Sequence, residues 1–340
     1  MEHDTDKAAK KRQSFTGKIV FLVWARHSIR ASGISKRIGA SLYFMTSSKI
    51  KHGTLIVKTL QVLRKEKPSI IICQSPPISL AIVAMAYKYI VGYTSKPKIL
   101  IDIHSGAISN PWSKRITKFI MKFAFINLVT NIELQKDLIE NYNIESLVLE
   151  DPIPDLKNVL LSSKDQTGAE IQRKNAFSIA VISSFSDDEP LAAVFDAASK
   201  VSDVDFFITG ENSDADQRIF DLKPGNVSMT GYLDYGAYIR LLQTVDVIMD
   251  LTDDDNTMLA GAYESVALEK PLITSNWSPL RRYFNKGTIH INNSPSDIVE
   301  AITIARIKKE ELSNQMHQLK IDKLKEWDDK ILKFQRLLYD

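Results

Sequence analysis

Short apolar runs recur along the chain, and stretches with helical spacing separate them. Residues 18–24 (KIVFLVW) read as a first strand. Residues 70–73 (IIIC) form a second, after a helix predicted over 55–65, and 99–103 a third, after a helix over about 81–90. Residues 128–130 and 146–149 continue the series. Unbroken apolar runs, rather than alternating ones, belong to strands covered on both faces, so the pattern predicts a parallel sheet between helical layers, an α/β fold. The series closes at Asp151-Pro152-Ile153-Pro154, where two prolines interrupt regular structure. Polar residues 157–175 read as a linker. A second strand–helix series opens at 177–182 (FSIAVI) and runs to about 304. Charged, amphipathic helices fill about 307–339, with Trp327, Ile331, Phe334 and Leu338 on one stripe.

Two such series suit 340 residues, enough for two domains with separate cores. Charged residues are 25% and hydrophobic ones 44%, ordinary for a globular enzyme. The single Cys73 sits in an apolar run, which excludes a disulfide framework or a cysteine metal site and points to a reducing, cytoplasmic setting. Residues 1–16 have no apolar core and read as neither signal peptide nor anchor. The longest apolar stretch, 78–92, is broken by Lys88 and too short to span a bilayer. A net charge of +3 gives no ground for a nucleic-acid partner.

The most specific chemistry lies in 256–275. Thr257 is a candidate N-cap for a small-residue helix through Ala267, Pro271 ends that helix, and 272–273 start a strand. A helix opening directly after a strand offers unpaired N–H groups to an anion. Glu264, two turns in, could accept hydrogen bonds from a ribose diol. Upstream stand Phe206-Phe207-Ile208-Thr209-Gly210, Val227-Ser228-Met229-Thr230-Gly231-Tyr232, and Leu241-Leu242 followed by Asp246-Val247. Together these four elements resemble the nucleotide-sugar signature of retaining glycosyltransferases of the "group 1" (family 4-like) type. The resemblance implies a GT-B fold, two Rossmann-like domains with a cleft between them. It places an acceptor domain at 17–155, a nucleotide-sugar domain at 176–318, and a last helix at about 320–340 packing back on the first. Glu264 takes the place of the family's ribose-holding glutamate. Asn256 replaces the other glutamate of the pair, and Glu269 stands where the family has glycine.

Ligands of open parallel sheets bind beyond the carboxyl ends of strands, which picks four loops. In the first, Arg26, His27 and Arg30 could face a phosphate or an acidic acceptor, or form a solvated helix start. In the second, Pro76 and Pro77 shape a turn. The third carries His104 after 99–103; by resemblance its imidazole approaches the donor sugar, and the plainer alternative is a hydrogen-bonded structural histidine. Asp102, on the opposite face from Ile101 and Ile103, could orient His104 or Arg26, or pair with a lysine. The fourth, 183–190 (SSFSDDEP), lacks the arginine and lysine the family uses against the diphosphate and has three acids instead. Hydroxyls such as Ser184 could still contact phosphate, with cations from Arg26, Arg30, Lys270, Arg281 or Arg282.

Asp253-x-Asp255 admits a metal reading, but an acidic loop before a helix N-terminus explains it as well, and no metal is expected. Residues 112–125 show Lys114, Lys118 and Lys122 at helical spacing beside a stripe of Trp112, Ile116, Phe119, Ile120 and Phe123. The stripe is expected to pack on the sheet, while the lysine row could meet an anionic inner-membrane surface.

The resulting expectation is a retaining glycosyltransferase that moves a sugar from a UDP- or GDP-type donor to a glycan or lipid-linked acceptor, in surface polysaccharide or glycolipid synthesis, without a cofactor. His104 and Asn256 are the catalytic candidates. Glu264, Thr257, Met258, Gly210, Gly231, Tyr232, Ser184 and Arg281 are the donor-binding candidates. The alternatives are a non-catalytic GT-B nucleotide-sugar-binding or partner subunit and, third, a nucleotide-sugar epimerase.

Overall fold

The computed structural model describes residues 16–25, 27–46, 52–90, 96–104, 107, 111–157, 159, 173–211 and 223–339, with backbone alone at 111–114. Most of the expected linker, 157–175, lies outside them. The chain divides into two compact units, Met1–Pro152 joined by Lys325–Asp340, and Ile153–Leu324.

The first unit holds a six-stranded parallel sheet: β1 (Ile19–Val23), β2 (Ser41–Phe44), β3 (Ile70–Ser75), β4 (Lys98–Ile103), β5 (Ile126–Val129) and β6 (Leu147–Val148). Their order is β2-β1-β3-β4-β5-β6. Among the described residues five helices connect them: α1 (Ile29–Ile38), α2 (His52–Glu66), α3 (Ile78–Ile90), α4 (Pro111–Met121) and α5 (Ile132–Tyr142). Strand alternation splits the core between two faces. Val20, Leu22, Ile71, Cys73, Ile99 and Ile101 pack under α2, α3 and α5. Ile19, Phe21, Val23, Ile70, Ile72 and Leu100 pack under α1 and the end of the chain.

Helix α4 departs from the expected packing. Of the stripe, Ile120 packs partly buried against the core, and Thr117 and Met121, one turn apart, are the fully buried residues. Ile116, Phe119 and Phe123 remain 50%, 62% and 49% exposed. The lysine row is also altered, because Lys118 lies over the Tyr142 ring at 3.4 Å. The side chains of Trp112 and Lys114 lie outside the described residues.

The second unit holds β7 (Phe177–Ile182), β8 (Val204–Thr209), β9 (Val227–Gly231), β10 (Val247–Asp250), β11 (Leu272–Ser275) and β12 (Thr288–Ile291), all parallel, in the order β12-β11-β10-β7-β8-β9. That is the Rossmann order, whose switch point lies between β7 and β10. Its helices among the described residues are α6 (Leu191–Lys200), α7 (Tyr235–Thr244), α8 (Ala260–Leu268), α9 (Ser278–Tyr283), α10 (Pro295–Ile307) and α11 (Lys309–Tyr339). Helix α8 starts later than expected. Its N-cap is Leu259, without a side-chain cap, and Thr257 instead donates its hydroxyl to Asp254 at 2.8 Å. At the other end Glu269 takes the left-handed C-cap conformation, φ 58°. A non-glycine there costs about 1–2 kcal/mol. Its carboxylate is held by Lys320 at 2.7 Å and His317 at 2.9 Å, while Lys320 also caps the Ala267 carbonyl at 2.8 Å.

Helix α11 serves both units. Leu312, Met316 and Leu319 enter the cores of the second. Trp327, Ile331, Phe334 and Leu338 enter the core of the first. Among the described residues no helix is long and apolar enough to cross a membrane.

Candidate functional site

The loops after β7 and β10 flank the switch point of the second unit. In the first of them Phe185 adopts φ 60°, which turns successive N–H groups toward one point. Glu189 fills that point. Its carboxylate accepts from the Ser184 N–H at 2.8 Å, the Phe185 N–H at 3.0 Å, the Ser184 hydroxyl at 2.8 Å and the Ser183 hydroxyl. Gly210, at φ 117° after β8, closes against the same loop. A Cβ there would meet the Ser183 carbonyl at 2.5 Å and the Phe185 ring at 2.8 Å, so the close approach requires glycine. Ser184 and Gly210 thus stand together at the switch point, around a carboxylate.

The N-terminus of α8 is filled in the same way. Asp250, the last residue of β10, accepts from the Ala262 N–H at 3.1 Å and from the Gly261 N–H. Burial, and then the charges of Glu264 and Glu189, push its carboxyl up to about 8. Glu264, 3% exposed, accepts from the Tyr238 hydroxyl at 2.5 Å, with the Tyr235 side chain beside it on the same face of α7. Burial raises its carboxyl to about 7, against the opposing effect of Tyr238 and then Tyr235. In the β10–α8 loop Asn256 donates from its amide to Asp255 and from its backbone to Asp254 at 2.9 Å. Met258 is half-buried against the core beneath α8.

The remaining donor candidates are spread along the carboxyl edge. Gly231 takes φ 67° at the end of the edge strand β9, and Tyr232 beside it is exposed. Two strands separate them from the switch point, about 10 Å. Arg281, exposed on α9, holds the Asn276 side chain at 2.9 Å. Lys270 is a different case. It precedes β11, at the opposite end of the sheet, and donates to the Val245 carbonyl at 2.6 Å; it is not placed to neutralise an anion at the carboxyl edge.

In the first unit the structure brings Arg30, Asp102 and His104 together. Arg30 is not a solvent-facing cation: it is 2% exposed, with Nε on Asp102 at 2.8 and 3.0 Å, Nη2 on Asp102 at 2.6 Å and Nη1 on Asp151 at 3.0 Å. Burial disfavours its charge, yet Asp102 and then Asp151 outweigh that and hold its proton more tightly than usual. Burial likewise works against ionising Asp102, but Arg30 and then His104 keep it well below the usual carboxylate range. His104 Nε2 lies 3.4 Å from Asp102 Oδ2, with the ring part-exposed. Asp102 therefore both anchors Arg30 and orients the imidazole. His27 is exposed and stacks on Phe44 at 6.1 Å. Arg26 lies outside the described residues.

The residues that sequence reasoning did not connect are Glu189, Asp250, Tyr235 and Tyr238. A signal existed for the tyrosines, since their i, i+3 spacing puts both on one face of α7. Among the described residues no group of three or more His, Cys, Asp or Glu is placed to hold a metal ion.

No protein-family model matches this sequence, nor does any curated protein. Solved structures do. The chain is similar to Anabaena HepE, solved with UDP and glucose: TM-score 0.70, 12% identity, over 92% of this chain and 98% of that one. Sucrose-phosphate synthase from Thermosynechococcus elongatus aligns over 95% and 98% with TM-score 0.71 and 10% identity. UDP-GlcNAc 2-epimerase from Neisseria meningitidis, bound to UDP-GlcNAc, aligns over 93% and 100% with TM-score 0.60 and 13% identity. The shared architecture is the GT-B fold, with two Rossmann-like sheets.

Proposed function

We propose that this chain is a glycosyltransferase that takes a sugar from a UDP- or GDP-type donor held by the second unit and transfers it, with retention, to a glycan or lipid-linked acceptor held by the first. The observation that carries the reading is Glu264. It stands on the helix that follows a switch-point strand, held by the Tyr238 hydroxyl with Tyr235 beside it, in a fold whose solved neighbours include HepE with UDP and glucose. A ribose diol would exchange with the Tyr238 hydroxyl on the Glu264 carboxylate. Asn256 and the N–H groups of Thr257 and Met258 would meet sugar and phosphate, and His104, oriented by Asp102, would reach the donor sugar. Arg281 is the cation on the carboxyl edge of β11 that can swing toward a leaving diphosphate. Stabilising that developing charge is the catalytic work required. Surface polysaccharide or glycolipid synthesis is the role that suits such an acceptor.

The test is thermal stabilisation by UDP- and GDP-sugars, followed by release of nucleoside diphosphate with and without acceptor. Glu264→Ala should weaken nucleotide binding by about 1.5–3 kcal/mol, the worth of hydrogen bonds to a charged group. Titration calorimetry reads it directly, and an unchanged dissociation constant would remove Glu264 from the site.

A second reading, a non-catalytic nucleotide-sugar-binding or partner subunit, is favoured by Glu189 and Asp250. Both occupy positions where a diphosphate would otherwise find N–H groups. Glu189 would set a like charge against the diphosphate, about 4 kcal/mol at 4 Å and an effective dielectric near 20. Asp250, which holds its proton up to about pH 8, competes instead by occupying the N–H groups. Binding without turnover across acceptors would select this reading.

A further inference from the structure

Charge is unevenly distributed along this chain. Overall, 44 lysines and arginines face 41 acids. Between residues 67 and 132, however, stand eight lysines and arginines and a single acid, Asp102. Asp102 is fully buried and neutralised by Arg30. The surface made by this segment therefore presents cations and no carboxylate. The nearest acids that follow in sequence, Glu133, Asp137 and Glu140, belong to α5.

The described part of this segment also exposes large apolar side chains. On and just after α4, Phe119 and Phe123 pack edge to face at 4.9 Å, with Ile116 exposed one turn before. Arg115 and Lys122 are exposed among them. On α3, which packs beside α4, Tyr89 and Ile90 are exposed too. Two phenyl rings without a polar tip, flanked by cations, are a poor surface for water. They are also a poor surface for a second copy of the chain, because a two-fold contact would set the cations against themselves. A negatively charged surface with an apolar interior matches both properties.

We propose that Ile116, Phe119 and Phe123 enter the headgroup region of an anionic bilayer while Arg115 and Lys122 meet its lipid phosphates, docking the first unit peripherally on the membrane. This goes beyond the transferase reading and does not rest on it.

The full chain would be sedimented with phosphatidylcholine vesicles, with and without phosphatidylglycerol, at low and at physiological salt. Wild type should bind only the anionic vesicles. Arg115→Gln with Lys122→Gln should weaken that binding about fivefold per cation, about thirtyfold together. Phe119→Ser with Phe123→Ser should weaken it tenfold or more, since each ring loses apolar burial. Both pairs change exposed side chains, so the melting temperature should be unaltered. Wild type that stays in the supernatant at low salt overturns the proposal. So does serine-variant binding equal to wild type, which would leave a purely Coulombic contact. If light scattering shows a dimer that the serine variant breaks, with no vesicle binding, the face is a self-interface and the proposal is wrong.

Discussion

Removing the Asp102 carboxylate would leave the Arg30 guanidinium buried with only Asp151 and the Leu149 carbonyl beside it. Breaking a buried pair from one side costs about 3–5 kcal/mol, so Asp102→Ala should lower the urea midpoint of the first unit by a corresponding amount. An unchanged midpoint would mean that water reaches Arg30. Its burial was legible in part, since Arg30, Ile34 and Ile38 share one helical stripe, but the neighbouring Arg26 and His27 made the segment read as facing a phosphate or acidic acceptor, or as a solvated helix start. Asp250 and Glu264 pose the opposite problem, two carboxyls buried without a cation. Unfolded, they titrate near 4. Folded, they hold their protons to about 8 and about 7. The folded state thus binds more protons over that interval. Its stability should fall as pH rises from about 4 to about 8, by up to about 1.4 kcal/mol per pH unit for each group, and level off above. Asp250→Asn should flatten the curve and leave only the Glu264 part, ending near pH 7. Melting curves from pH 5 to about 9 would show it, and identical slopes for both proteins would exclude Asp250 as the source.

At the scale of elements, central strands were the legible ones. β1, β3, β4 and β7 are apolar on both faces, and unbroken runs announce that. The edge strand β2, with its two end residues exposed, carries no such run and was not anticipated. The start of α8 was misplaced because its orphan N–H groups are satisfied from outside the local sequence, by Asp250 ten residues before Ala260, so the nearest hydroxyl residue was an unreliable marker. The stripe on α11 was readable because its spacing alternates between three and four residues. Phe334 is the largest of its fully buried side chains. Phe334→Ala should destabilise the first unit by about 3–5 kcal/mol through lost burial and a residual cavity. Denaturant unfolding followed by hydrogen exchange in β1 and β5 would check it, with protection there falling while β7 and β10 keep theirs. Equal loss in both sheets would contradict the assignment of this half of α11 to the first unit alone.

Across the whole molecule, two Rossmann-like units were foreseeable from two strand–helix series separated by prolines and a polar stretch. The self-filled anion sites were not, because they depend on which side chains converge at strand ends rather than on periodicity. Sharing α11 between the units has a consequence for the order of events as the chain is made. The strands of the first unit leave the ribosome early, but the residues that finish covering Phe21, Leu100 and Leu128 follow only after the second unit. Ile153–Leu324, about 170 residues, must be synthesised in between. At about 5–20 residues per second the delay is on the order of 10–35 s. Throughout it the nascent first unit displays part of an apolar sheet face and is a client for chaperones, while the later-made second unit has all of its own strands before the first is complete. A chain released at Leu324 should remain in that state. It should bind a hydrophobic dye and be nicked by protease within residues 19–149, while the second unit still melts cooperatively. A compact, protease-resistant first unit in that truncated chain would show that its core closes without α11.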